Sequence, residues 1–158
     1  VYENLKLGTV IPGLKLTPRG STALHDAIGK AISTTGEKLA ALPEEERPGH
    51  VIVLIITDGH ENASKEYTHA KIMEMIKHQT DVYKWQFVYL GADEKAIDIG
   101  VALGVDPGLA VKFGNNPDNV KAMYAQTSSK INSVRCSGIS GQSVTSYSVQ
   151  EREQIDSK

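Results

Sequence analysis

The sequence has little cysteine, no excess of positive charge and no long apolar run. Cys136 is its single cysteine, which excludes an internal disulfide framework and a cysteine-rich metal site. The 17 Lys and Arg stand against 19 Asp and Glu, so the formal net charge of -2 gives no electrostatic attraction toward nucleic acid or anionic lipid. The longest strongly apolar run, 51–56, is far shorter than the roughly 20 residues that cross a bilayer. We therefore expect no nucleic-acid partner, no membrane partner and a cytoplasmic location, with which a lone cysteine is compatible.

Sequence signatures of catalysis and phosphate binding are also missing. Neither G-x-G-x-x-G nor G-x-x-x-x-G-K-[ST] occurs, so the sequence has no glycine-rich loop of the kind that holds phosphates. His60 and Glu61 do not begin an H-E-x-x-H zinc motif, because Ser64 stands where the second histidine would be. The piece G-I-S-G at 138–141 is one residue short of a nucleophile elbow and lies in a polar segment. These absences favour a protein that is not an enzyme.

What the sequence does contain is an alternation of helical and strand patterns. Apolar residues from Leu24 to Ile32 recur at spacings of three and four, which predicts a helix with Ser21 or Thr22 as its N-cap. The run 51–56 reads V-I-V-L-I-I without polar alternation. Such a run is typical of a central strand in a parallel sheet, with both faces buried.

Further elements follow in the same order. They are a second helix capped by Ser64, strands over 84–90 and 109–113, a short helix over 93–103, and a last helix opened by Asn116 and Pro117. This alternation predicts an α/β fold with a doubly wound, Rossmann-like and mainly parallel sheet. Residues 1–16 are predicted as a ragged edge strand or hairpin. We expect one domain over 1–136, followed by a polar tail over 137–158 that is mobile or ordered by a partner.

Two pieces of sequence converge on one rim of such a sheet. Asp58 follows the buried strand, and ligands of doubly wound sheets bind beyond the carboxyl ends of the strands. Gly59 permits a sharp turn there, and Thr22 lies where a loop enters the first helix. Carboxylate and hydroxyl oxygens suit Mg²⁺, so Asp58 and Thr22 are candidate metal ligands. Two donors do not complete a site, and at least one further carboxylate or hydroxyl cluster is required.

Each candidate also has a purely structural interpretation. Asp58 fits an ordinary turn, Thr22 fits a helix N-cap, and Asp26 fits the positive end of a helix dipole. The three residues after Gly59 form either a rim that contacts a ligand or a polar loop before the second helix: His60, Glu61 and Asn62.

Together the two pieces resemble part of the von Willebrand factor A (VWA) domain. G-S-T-A-L-H-D-A-I at 20–28 and V-I-V-L-I-I-T-D-G-H-E-N at 51–62 look like two of its three metal-binding loops, and the pattern is similar to stand-alone VWA proteins of bacteria and phages. By position, Thr22 matches the threonine of the family's metal-ion-dependent adhesion site and Asp58 matches its third-loop aspartate. The resemblance implies that the residues around these ligands or on the rim are Ser21, Asp26, Gly59, His60, Glu61 and Asn62.

One loop of the family's site does not occur in this sequence. The D-x-S-x-S loop, which precedes the threonine loop in the family, is missing, so we expect the chain to be the C-terminal two-thirds of a VWA domain. The strand that carries this loop would pair with 51–57, and without it an apolar strand is left with an open edge. The implied cofactor is Mg²⁺ or Mn²⁺, bound weakly or not at all without the missing loop.

The resemblance implies a non-catalytic protein–protein binding or adhesion module, in which a divalent cation captures an acidic residue of a partner protein. A chain or segment that supplies the missing strand is a second expected partner. One alternative is a structural or assembly component with a degenerate metal site, whose segment 137–158 orders on a neighbouring subunit. Another is a metal-assisted phosphohydrolase that uses Asp58 and Glu61.

Overall fold

Three parallel strands form one sheet in the computed structural model of this chain, which describes residues 20–137 and 142–157. They are β1 (Ile52–Thr57), β2 (Gln86–Gly91) and β3 (Ala110–Lys112), in the spatial order β1-β2-β3. Both pairings are parallel, as the alternation predicts, and the register aligns Ile55 with Tyr89 and Tyr89 with Ala110.

Helices separate the strands and follow the last one. They are α1 (Leu24–Ala40), α2 (His69–Tyr83), α3 (Ala96–Ala102), α4 (Pro117–Cys136) and α5 (Val149–Ile155), with a single 3-10 turn at Glu44–Glu46. The mixed α/β class with a parallel sheet is confirmed, whereas its doubly wound arrangement stays a prediction. The edge strand or hairpin predicted over 1–16 lies outside the described residues. No helix within the described ranges is long and apolar enough to cross a membrane.

The place of β1 in the sheet differs from the prediction for 51–56. The central strand is β2, whose residues from Phe87 onward are buried, and among the described residues β1 pairs with β2 alone. On β1, Leu54 is 36% exposed and Ile56 is 39% exposed. A continuous apolar run predicts burial on both faces, but Leu54 and Ile56 share one face that is left partly uncovered by the described residues, while Ile55 on the opposite face is buried.

A close backbone approach fixes α3 on the sheet, and α2 lies beside the end of α3. A Cβ atom at Gly100 of α3 would lie 2.9 Å from the Ala110 Cβ and 3.1 Å from the Tyr89 Cβ, so the helix lies almost directly on these two strands. Gly104, which has a positive φ of 94°, ends α3 beside Ile76 and Met73 of α2. Helix α1 in turn packs on α2.

Two of the predicted helix caps are replaced by other residues. The residue before α1 is Ala23, without a side-chain cap, so neither Ser21 nor Thr22 caps this helix. Helix α2 begins after Thr68, whose hydroxyl accepts the Lys71 amide hydrogen, and not after Ser64. At α4 the prediction holds, since Asn116 accepts the amide hydrogen of Asn119.

The described part of the predicted tail, 142–157, packs against the same chain. Its apolar side chains Val144, Tyr147 and Ile155 are buried. The Arg152 guanidinium donates to the Ala110 carbonyl at 2.8 Å, which ties α5 to strand β3. The sequence did not reveal this docking because the apolar residues follow no helical or strand period. Whether the unit over 1–136 is a separate domain stays a prediction.

Candidate functional site

The two pieces singled out in the sequence meet beyond the carboxyl end of β1. The Thr22 amide donates to Asn62 Oδ1 at 2.8 Å, and the Asn62 amide donates to the Thr22 carbonyl at 3.0 Å. These reciprocal hydrogen bonds join the loop before α1 to the loop after β1, although 40 positions separate them in sequence. Asn62 therefore holds the two loops together through its side chain and its backbone.

The Thr22 hydroxyl lies directly beside the turn that carries Asp58. A Cβ atom at Gly59 would stand 2.9 Å from Thr22 Oγ1, closer than real Cβ contacts come. Gly59 has no positive φ, so the turn itself does not require glycine, contrary to the reason expected from the sequence. Glycine is required here because the threonine side chain approaches the backbone closely.

Asp58 presents its carboxylate to solvent. The residue is exposed, and within the described part of the chain its carboxylate accepts no hydrogen bond and forms no ion pair. The preceding Thr57 is engaged, since its hydroxyl donates to the Gly59 carbonyl at 3.0 Å. Asp58 is thus held at a fixed turn with its acceptor oxygens available to a ligand.

Glu61 has the opposite environment, because its carboxylate is fully used inside the protein. Oε1 accepts the amide hydrogens of Ala63 at 3.0 Å and Ser64 at 2.8 Å. Oε2 accepts the His25 amide at 2.9 Å and the Ser64 hydroxyl at 2.7 Å. Burial raises the pKa of the Glu61 carboxyl, but the hydrogen bonds from Ser64 and His25 outweigh it and lower the pKa from 4.5 to about 2.

Asp26 mirrors this arrangement from the first turn of α1. Its carboxylate accepts the amide hydrogens of Lys65 at 2.8 Å, Glu66 at 2.9 Å and Tyr67 at 2.9 Å. These bonds, the one from Lys65 first, lower the pKa of the Asp26 carboxyl below its ordinary value. The first-turn position fits the helix dipole as expected, but the carboxylate is engaged with the 65–67 backbone.

Ser64 links the two carboxylates. Its hydroxyl donates to Glu61 and accepts the Asp26 amide hydrogen at 3.1 Å. We call Asp26, Glu61 and Ser64 the carboxylate clasp. The first free amides of α1, those of His25 and Asp26, are therefore satisfied by Glu61 and Ser64 instead of by a local N-cap.

A second strand contributes Asp93, which the sequence analysis did not single out. His60 Nε2 lies 3.0 Å from Asp93 Oδ2, and this pair connects the loops that follow β1 and β2. The sequence could have indicated Asp93, because it follows β2 much as Asp58 follows β1. The carboxyl ends of neighbouring parallel strands share one edge of the sheet. The remaining rim candidate, Ser21, is exposed.

The rim offers few ligands for a metal ion. Among the described residues, no group of three or more His, Cys, Asp or Glu side chains is close enough together to hold one. The carboxylates of the clasp are occupied by backbone donors, whereas the Thr22 hydroxyl and the Asp58 carboxylate have no hydrogen-bond partner among the described residues. These two suit a magnesium-type ion in their chemistry but provide only part of its coordination shell.

Comparisons with known proteins do not place the chain in a family. No protein-family model matches it, and no curated protein or solved structure is significantly similar. What the structure defines is the class, an α/β protein whose described strands form a three-stranded parallel sheet compatible with a Rossmann-like fold.

Proposed function

We propose that this chain is part of a non-catalytic binding module of the VWA type, in which Thr22 and Asp58 help to hold a divalent cation that captures a carboxylate of a partner protein. The observation that carries the proposal is the contact between the Thr22 side chain and Gly59, because it brings a hydroxyl to the turn that presents Asp58. The Asp58 carboxylate accepts no hydrogen bond from the described residues, whereas the carboxylates of Asp26 and Glu61 are engaged, and this supports a ligand role for Asp58.

Each residue has a distinct task in this proposal. Thr22 coordinates through its hydroxyl, directly or through water, and Asp58 acts largely through water, since Mg²⁺ retains several waters in protein sites. The cation, Mg²⁺ or Mn²⁺, supplies an electrophilic position at which an Asp or Glu of the partner replaces one water. No bond is broken, so we expect no turnover. His60, paired with Asp93, lies on the rim that the partner would contact.

The remaining ligands are proposed to come from a segment or chain that adds a strand to β1. One observation supports this second partner: the described residues pair β1 on one side only. An unpaired apolar strand is prone to unwanted pairing, and proteins normally cover it. Such a strand, with a D-x-S-x-S loop at its carboxyl end, would complete a doubly wound sheet and deliver oxygen ligands beside Asp58.

Titration with Mn²⁺ and Mg²⁺ tests the proposal. Wild-type protein is expected to bind Mn²⁺ weakly, and Asp58→Asn and Thr22→Val are each expected to weaken binding at least tenfold. Asp98→Asn is the matched control, because Asp98 is an exposed carboxylate on α3. Equal affinity in Asp58→Asn and wild type, or no binding by wild type at all, would contradict a cation site in this chain.

The enzymatic alternative has less structural support. A metal-assisted phosphohydrolase that uses Asp58 and Glu61 needs both carboxylates accessible, but the oxygens of Glu61 accept four hydrogen bonds within the protein. A magnesium-dependent phosphatase assay distinguishes the two functions. Turnover that disappears in Asp58→Ala would favour the enzyme.

A further inference from the structure

The carboxylate clasp joins the start of α1, just after Thr22, to the segment that follows Asp58. We propose that Asp26 and Glu61 are positioning residues that hold Thr22 beside Asp58 before any cation binds, and that neither is a ligand itself. This inference rests on the proposed function, because it concerns how that site is assembled. It reassigns Asp26 and Glu61, which the sequence placed among the rim residues, to a role inside the protein.

Hydrogen bonds within the protein fill the acceptor capacity of Glu61. An ionised carboxylate has about four acceptor positions on its two oxygens. In Glu61 each oxygen accepts two hydrogen bonds, from Ala63 and Ser64 on one side and from His25 and Ser64 on the other. If Glu61 were to bind a cation or accept a proton, one of these hydrogen bonds would have to break. Glu61 is therefore committed to the loop structure.

These bonds connect residues shortly after Thr22 with residues shortly after Asp58. Glu61 is three residues beyond Asp58, and the His25 amide that it accepts is three residues beyond Thr22. Asp26 binds the next part of the same loop through its three hydrogen bonds to 65–67. The start of α1 is thereby joined to the segment after Asp58 at Glu61, just before Asn62, and again at 65–67, just after it.

Most of the groups that donate to Asp26 and Glu61 are backbone amides. Backbone donors in a closed loop have little freedom to move away, so the clasp sets the distance between the two loops and not only the rotamers of its own side chains. A site whose supporting groups are fixed in this way loses less conformational entropy when a ligand binds. The clasp would therefore preorganise the Thr22–Asp58 pair without help from the cation.

The test compares Glu61→Gln with Glu66→Gln, an acid-to-amide change at an exposed neighbour in the same segment. The first readout is amide hydrogen exchange without metal. Glu61→Gln is expected to speed exchange at the amides of His25, Ala63 and Ser64 at least tenfold, while β2 amides and the Glu66→Gln variant stay at wild-type rates. Unchanged exchange at the His25 amide would overturn the clasp.

The second readout separates positioning from a purely structural role. Glu61→Gln is expected to shift the amide resonances of Thr22 and Gly59 and to weaken Mn²⁺ binding about tenfold, with the protein still folded. Faster exchange without any change at Thr22 and Gly59 would overturn the positioning role. If the wild type binds no Mn²⁺, the proposed function fails. The hydrogen-exchange rates and the Thr22 and Gly59 resonances would still show whether the clasp positions the two loops. Asp26→Asn, which leaves Glu61 intact, is a second variant expected to give the same shifts should Glu61→Gln not fold.

Discussion

The Glu61 carboxylate accepts the backbone amide of His25 at 2.9 Å, across 36 positions of sequence. This bond caps the start of α1 from another loop, and it ties that loop to the turn that presents Asp58. A helix end that takes its cap from a distant residue depends on the fold as a whole for its stability. The stability of the chain should therefore be sensitive to the protonation of Glu61.

The stabilising effect of Glu61 is predicted to disappear in acid. Its folded-state pKa of about 2 lies below the ordinary value of 4.5, so the contribution is fully present above about pH 5 and is lost as the pH falls toward 2. Glu61→Gln should cost roughly 2 kcal/mol at pH 7, because the amide NH₂ faces donors and not acceptors. Urea unfolding of both proteins at pH 7, 4 and 2.5 measures the difference. If the difference in free energy of unfolding between the two proteins stayed constant down to pH 2.5, the ionised Glu61 carboxylate would not be the cause of the stabilisation.

Gly59→Ala is predicted to displace the Thr22 side chain. The new Cβ would lie 2.9 Å from Thr22 Oγ1, so the hydroxyl must rotate or the loops must separate. We expect a shift of the Thr22 amide resonance and at least a tenfold loss of Mn²⁺ affinity. Gly49→Ala is the control, since nothing lies within 4 Å of a Cβ at that turn. A normal Thr22 resonance in Gly59→Ala would show that the contact is not tight.

Two glycines of α1 are predicted to respond in opposite ways to alanine. Alanine favours a helix by about 1 kcal/mol over glycine, so Gly36→Ala, with nothing within 4 Å of its Cβ, should raise the midpoint of thermal unfolding. At Gly29 the Cβ would lie 2.5 Å from the Tyr67 ring, which the backbone bonds to Asp26 hold in place. Gly29→Ala should therefore destabilise by roughly 1–3 kcal/mol. A rise in both midpoints would argue that Tyr67 moves freely.

Local periodicity was enough to predict the order of elements. The apolar stretch at 84–90 corresponds to β2 (Gln86–Gly91), and Asn116 caps α4, because these features depend on neighbours in sequence. The meeting of the Thr22 loop with the Asp58 turn was predicted from the resemblance of the two pieces to two metal-binding loops of one site, and not from periodicity. The VWA type of the fold stays a prediction.

Long-range polar contacts were beyond the sequence pattern. Asp26 and Glu61 each suggested a local role, but their acceptors are filled by amides of another loop, and no periodicity signals such a contact. The exposure of Leu54 and Ile56 on β1 was missed for a related reason: apolar composition reports a tendency to be buried, but not whether a distant element covers that face of the strand. In both cases the deciding partner is far away in sequence.

The docking of 142–157 provides the last prediction, because it depends on one side chain. The Arg152 guanidinium donates to the carbonyls of Ala110, Pro107 and Gly108, and these oxygens lie along and before strand β3. Arg152→Met keeps the aliphatic stem but leaves the carbonyls without their charged donor, which should cost roughly 2 kcal/mol. Chymotrypsin cleavage after Tyr147, which is buried in the wild type, should become faster in this variant and stay slow in the control Arg135→Met, which changes an exposed arginine of α4. Equal cleavage rates would mean that the apolar contacts of Tyr147 and Ile155 are sufficient to hold the segment.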